Sequence, residues 1–101
     1  MRKIVHMYLA KGIAANDNPD GYIPGERHEM LIFLSGYTDS YDWKAAEEVA
    51  TVRHWRDIDF GKAGKLTTEQ IAGQDRTIRE SYARAVERGS ALVVYGAVES
   101  D

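Results

Sequence analysis

Apolar and polar residues change their spacing several times along this chain, and each change marks an element. Residues 3–11, KIVHMYLAK, alternate in part, with Val5, Met7 and Leu9 set against Ile4, His6 and Tyr8, which predicts a strand. HEMLIFLSG, 28–36, holds five consecutive large apolar residues, Met30 to Leu34. A strand apolar on both faces is central or covered on both sides. Between the two lies a long loop at about 12–26, which contains NDNPDGYIPGE and both prolines of the chain.

A helix is predicted over about 41–55, capped by Asp39 or Ser40 through a side-chain oxygen that accepts from an otherwise orphan amide. Ala45, Ala46, Val49 and Val52 share one side of it, with Lys44, Glu47 and Glu48 opposite. RDIDF, 56–60, then alternates strictly and predicts a half-exposed strand near an edge, with Ile58 and Phe60 inward and Asp57 and Asp59 outward. GKAGKL reads as a turn. Thr67 with Gln70 fits a capping box and opens a second helix that reaches about Arg88. Its buried stripe is Ile71, Ile78, Tyr82, Ala85 and Val86. Asp75–Arg79 and Glu80–Arg84 are spaced as i,i+4 ion pairs. Gly73 is a weak point in its interior, and Gly89 stands where a left-handed cap belongs. ALVVYGAV, 91–98, is the last strand, followed by a frayed acidic ESD.

The expected fold is therefore α+β: a four-stranded mixed sheet, β-β-α-β-α-β in chain order, with two helices packed on one face. Right-handed crossovers that progress in one direction put both helices on the same side. The other face would then need a cover, and a second copy of the chain is the simplest one, so a homodimer through the sheet face is expected. The alternative is that the long loop and the termini fold over it.

Composition narrows the chemistry. The chain has 101 residues, one domain (1–101) by size, with 44% hydrophobic and 29% charged residues, enough for one core and a polar surface. Zero cysteines remove disulfides, thiolate metal sites and cysteine nucleophiles. No apolar run approaches the roughly 18 residues of a membrane span. The N-terminal residues lack the pattern of a signal peptide, so a cytoplasmic protein with no membrane partner is expected. The net charge of −3 comes with scattered basic residues, which argues against direct nucleic-acid binding and for a partner with a basic surface.

Several motifs fail on inspection. Asn16-x-Asn18-x-Asp20-Gly21 imitates half a calcium loop, but its first ligand is Asn, Pro19 intrudes, and Arg27 occupies the twelfth position. Near GKAGKLTT, Asp59 and Leu66 break the phosphate-loop pattern. RHEML begins like a zincin helix, yet Ile32 replaces the second histidine. His6 and His28 would face one another only if β-pairing aligned them. No nucleophile elbow surrounds Ser35. These readings leave neither a metal nor a cofactor in the expectation, and no catalytic residue.

The most informative stretch is SGYTDSYDW, 35–43. Tyr37, Tyr41 and Trp43 are interleaved with Asp39 and Asp42 at a strand-to-helix corner. Tyrosine and tryptophan bury large areas at little rotamer cost and so anchor protein interfaces. The expected partner-binding residues are this corner, Tyr37, Asp39, Tyr41, Asp42 and Trp43, together with Asp17, Asp20 and Tyr22 of the loop. In the loop, Ile23 is expected to fold back on the sheet while Tyr22 contacts a partner.

The expected function is a small non-catalytic protein-interaction module that occludes a basic surface of a larger protein. Compact acidic domains of this kind are common among inhibitors encoded by phages and mobile elements, such as anti-CRISPR proteins, and that comparison rests on base rate alone. The alternative is a dimeric α+β small-molecule binder or small enzyme, with its pocket between helices and sheet or across the dimer and with His6, His28 or Asp57 in it.

Overall fold

The structure, a computed structural model, describes residues 3–98. Its strands are β1 (Ile4–Ala14), β2 (Arg27–Gly36), β3 (Trp55–Leu66) and β4 (Ser90–Val98). Its helices are α1 (Trp43–Thr51), α2 (Thr68–Ala72) and α3 (Arg76–Arg88). The element order is the expected one, with α2 and α3 taking the place of a single long helix.

The β1–β2 hairpin forms the middle of the sheet, in a register that pairs Ile4 with Gly36 and Ile13 with Arg27. β3 adds outside β1 and β4 outside β2, giving the order β3-β1-β2-β4. All three pairings are antiparallel, so the expected mixed sheet is corrected. The reason lies in which strands become neighbours. β2 and β3 do run parallel, as a strand–helix–strand unit requires, but β1 lies between them. A crossover predicts direction; it does not predict adjacency.

Helix placement differs as well. Along β1 and β2, successive side chains alternate between the two faces. Tyr8, Ala10, Met30 and Ile32 gather on one face with Ala46 and Ala50 of α1 and with Trp55. Val5, Leu31 and Phe33 gather on the other with Ala85 of α3 and Ala91. The two helices therefore contact opposite faces. This accounts for the doubly apolar pattern of Met30 to Leu34 without a second copy of the chain. Each large apolar side chain buried this way contributes about 1.5–3 kcal/mol. α3 covers its face incompletely: Leu9 is 36% exposed, and a hollow of about 290 Å³ opens among Met7, Leu9, Leu31 and Gly64.

Local details follow from caps and bulges. α1 is capped by Asp42, whose side chain accepts from Ala45 N, rather than by Asp39 or Ser40. GKAGKL does not turn; it continues β3, pairing Gly64 with Met7 and Leu66 with Val5. β3 carries two register shifts against β1, and Asp57 takes a left-handed φ of 51°. Ile58 and Phe60 still pack against one core cluster while Asp57 and Asp59 are exposed, as the alternation predicts. The capping box of Thr67 and Gln70 forms as expected. The predicted long helix breaks at Gly73, and Asp75 caps α3 by accepting from Ile78 N. Gly89 closes α3 at φ 101°. Among the described residues no helix is long and apolar enough to cross a membrane.

Candidate functional site

The strand-to-helix corner after β2 is where exposed aromatic surface concentrates. Tyr37 is 58% exposed, Tyr41 41% and Trp43 42%. Beneath them, His6 and Tyr8 project from β1, both buried. The Tyr41 ring lies 4.5 Å from that of His6, and Trp43 lies 5.2 Å from both Tyr8 and Phe60 at steep angles. Such edge-to-face contacts add about 0.5–1.5 kcal/mol per pair beyond area burial. Tyr8 Oη accepts a hydrogen bond of 2.9 Å from Asp42 N. The corner is thus a polar loop clamped at one end to a buried tyrosine, and Tyr41 and Trp43 are held by ring contacts before any partner arrives.

Electrostatics at the corner are mostly internal. Asp39 is bonded to Lys65 Nζ at 2.9 Å, and this ammonium holds its carboxyl below the ordinary range. Burial is the largest influence on His6 and lowers its pKa; Asp39 raises it again and Lys65 lowers it. The Tyr8 hydroxyl is pushed up, chiefly by burial. His6 is therefore a neutral imidazole at neutral pH. A hollow of about 200 Å³ lies beside it, lined by His6, Tyr8, Thr38, Ser40 and Asp42. A neutral imidazole, a phenol and two hydroxyls can hydrogen-bond a small polar molecule there.

The three loop residues predicted with the corner lie elsewhere. The loop joins β1 and β2 at the end of the hairpin away from Gly36, and it is tied to the residues that follow α1 rather than to the corner that precedes it. Asp17 bonds His54 Nδ1 at 2.9 Å. Asp20 accepts from Arg53 at 3.2 Å, and its N–H donates to Asn18 Oδ1. Tyr22 folds back, 5.1 Å from the ring of Trp55 and 4.8 Å from His28, while Ile23 is 66% exposed. The expected fold-back of Ile23 is corrected, since Tyr22 is the residue that packs inward. A flat phenol can stack on Trp55 and keep its hydroxyl near water, which Ile23 cannot do. His28 Nδ1–H donates to the Tyr95 carbonyl at 2.9 Å. Trp55 Nε1 is buried with no hydrogen-bond partner among the described residues, a cost of about 1–3 kcal/mol offset by its ring contacts.

The histidine pair does not form: His6 stands opposite Leu34 and His28 opposite Gly12. Among the described residues no three His, Asp or Glu side chains gather as a metal site. Sequence reasoning missed His6 and Tyr8 as the floor of the corner. Their i,i+2 spacing on β1 put them on one face; only the β1–β2 register put that face under residues 41–43. No known protein family, curated protein or solved structure matches this chain.

Proposed function

We propose that this chain is a non-catalytic protein-interaction module that presents the Tyr37–Trp43 corner to a basic surface of a partner. The observation that carries this reading is the joint exposure of Tyr37, Tyr41 and Trp43 on a corner whose inner side is fixed to Tyr8. Fixed aromatics lose little entropy on binding. Asp39 and Asp42 at the rim suit a cationic partner, and Asp39 can exchange Lys65 for a guanidinium of that partner. Asp17, Asp20 and Tyr22 lie at the other end of the sheet, engaged with His54, Arg53 and Trp55, and are left out of this proposed surface. An inhibitor that acts by occlusion, of the kind phages and mobile elements encode, is the biological form of the reading.

A second reading rests on the hollow beside His6: a small-molecule binder that uses the imidazole and Tyr8. Tyr37→Ser and His6→Gln separate the two, because Tyr37 does not line that hollow. A binding partner is captured on the immobilised chain, identified, purified and titrated at rising ionic strength. The interaction reading expects binding to weaken with salt and to collapse in Tyr37→Ser. Retention of full affinity by Tyr37→Ser and Tyr41→Ser, salt-independent affinity, or no captured protein would sink it.

A further inference from the structure

β4 is an edge strand, and its outer edge lies in a channel. With β2 on one side and, among the described residues, no strand on the other, alternate residues of β4 point their N–H and C=O groups away from the sheet. α1 flanks this edge on one face of the sheet and the C-terminal half of α3 on the other. Between them opens a hollow of about 450 Å³, with Ser90, Ala91 and Leu92 in its lining.

The two walls differ in chemistry. The α1 wall is Ala45, Val49 and Val52, and Val52 is 71% exposed. The α3 wall is Arg84 and Arg88. Glu80, the expected partner of Arg84, is bonded instead to Arg76 at 3.0 Å. Among the described residues Arg84 and Arg88 have no ion pair. Arg53 stands at the far end, shared with Asp20. Glu48 is the one acid in the lining, so this channel is cationic in a chain whose net charge is −3.

We propose that the β4 edge takes up an extended peptide whose apolar and acidic side chains alternate. An added strand would hydrogen-bond to the outward groups of β4. Its side chains then alternate between the valine wall and the arginine wall. The lining runs from Ala45 to Arg53, roughly 12 Å at about 1.5 Å per helical residue, which accommodates about four strand residues. The other sheet edge is unsuited: β3 is bulged twice and carries Lys62 and Lys65, devices that blunt strand addition. β4 is regular from Ser90 to Val94. This site is independent of the aromatic corner and selects the opposite charge.

The test uses a fluorescein-labelled peptide with the core Val-Glu-Val-Glu-Val, its lysine counterpart Val-Lys-Val-Lys-Val, and the acidic peptide with alternate backbone nitrogens methylated. Expected are saturable binding of the acidic peptide alone, amide shifts centred on Ser90–Leu92 in nitrogen-15 spectra, and loss of about tenfold or more in affinity in Arg84→Glu/Arg88→Glu. Both arginines are exposed, and circular dichroism checks that the variant is folded. Val52→Asp on the opposite wall is expected to weaken the same peptide. Equal binding of the lysine or methylated peptide, unaltered affinity in the charge-reversed variant, or no shift at β4 would overturn the proposal. So would concentration-dependent dimerisation that protects the β4 amides, since a second copy would then be the occupant.

Discussion

Tyr8 Oη, on the central hairpin, accepts a 2.9 Å hydrogen bond from the backbone N–H of Asp42, the residue that caps α1. One phenol thereby ties the buried sheet to the start of a helix and to the exposed corner between them. Tyr8→Phe removes only the acceptor and is expected to cost about 1 kcal/mol, while Tyr8→Ala, which also empties core volume, costs about 3–5 kcal/mol. Urea denaturation of the two variants measures the split. Equal losses would show that the hydroxyl has no separate role.

Asp42→Ala removes the α1 cap and is expected to lose about 1 kcal/mol, with Asp42→Asn retaining most of it. Asp39→Ala, at an exposed ion pair, changes stability by less than about 0.5 kcal/mol. The reverse ranking in a thermal or urea series would move the cap back to Asp39.

Tyr22 and Ile23 should separate in the same way. Tyr22→Ala uncovers Trp55 and is expected to cost about 1–3 kcal/mol, with a red shift of tryptophan emission. Ile23→Ser, at an exposed position, stays within about 0.5 kcal/mol of the parent. A blue or unchanged emission in Tyr22→Ala would contradict the stack on Trp55.

Two glycines are expected to respond with opposite sign. Gly73 has φ −93°, and a Cβ there would meet nothing closer than Gln70 O at 3.8 Å. Gly73→Ala therefore stabilises by about 0.4–1 kcal/mol through the unfolded chain. Gly89 has φ 101°, so Gly89→Ala is strained and destabilises by about 1 kcal/mol or more. Differential scanning calorimetry of the pair reads both signs directly.

Burial is the main reason His6 titrates below its ordinary value of 6.5, against the opposing pull of Asp39. The unfolded chain therefore takes up the proton first as pH falls. Stability from His6 is fully present above 6.5 and declines as pH drops through the folded-state value. The urea midpoint is expected to fall between about pH 7.5 and about pH 5, and to fall less in His6→Gln. A midpoint that rises on acidification would mean that His6 gains a partner when charged.

Much of this molecule was readable from local pattern. Strand β2, the edge position of β3, the Thr67–Gln70 capping box and the Gly89 cap each depend on a few adjacent residues, and local sterics and hydrogen bonding decide such features. The exposed aromatics at 37–43 were legible for the same reason. The break at Gly73 was half legible: the weak residue was visible, but Asp75 has two uses, and capping α3 competed with pairing to Arg79.

Tertiary structure decided what depends on pairing between distant segments. Whether β3 lies beside β2 or β1 is a choice of hydrogen-bonded neighbour, and alternation within a strand is identical in both. That choice sent α1 and α3 to opposite faces and gave Met30 to Leu34 two apolar surroundings without a second copy. It brought His6 and Tyr8 beneath Tyr41 and Trp43, set the loop residues at the other end of the sheet, and left Arg84 facing the β4 edge. Sequence fixes which face a side chain shares with its neighbours two residues away. Only the assembled sheet determines what that face meets.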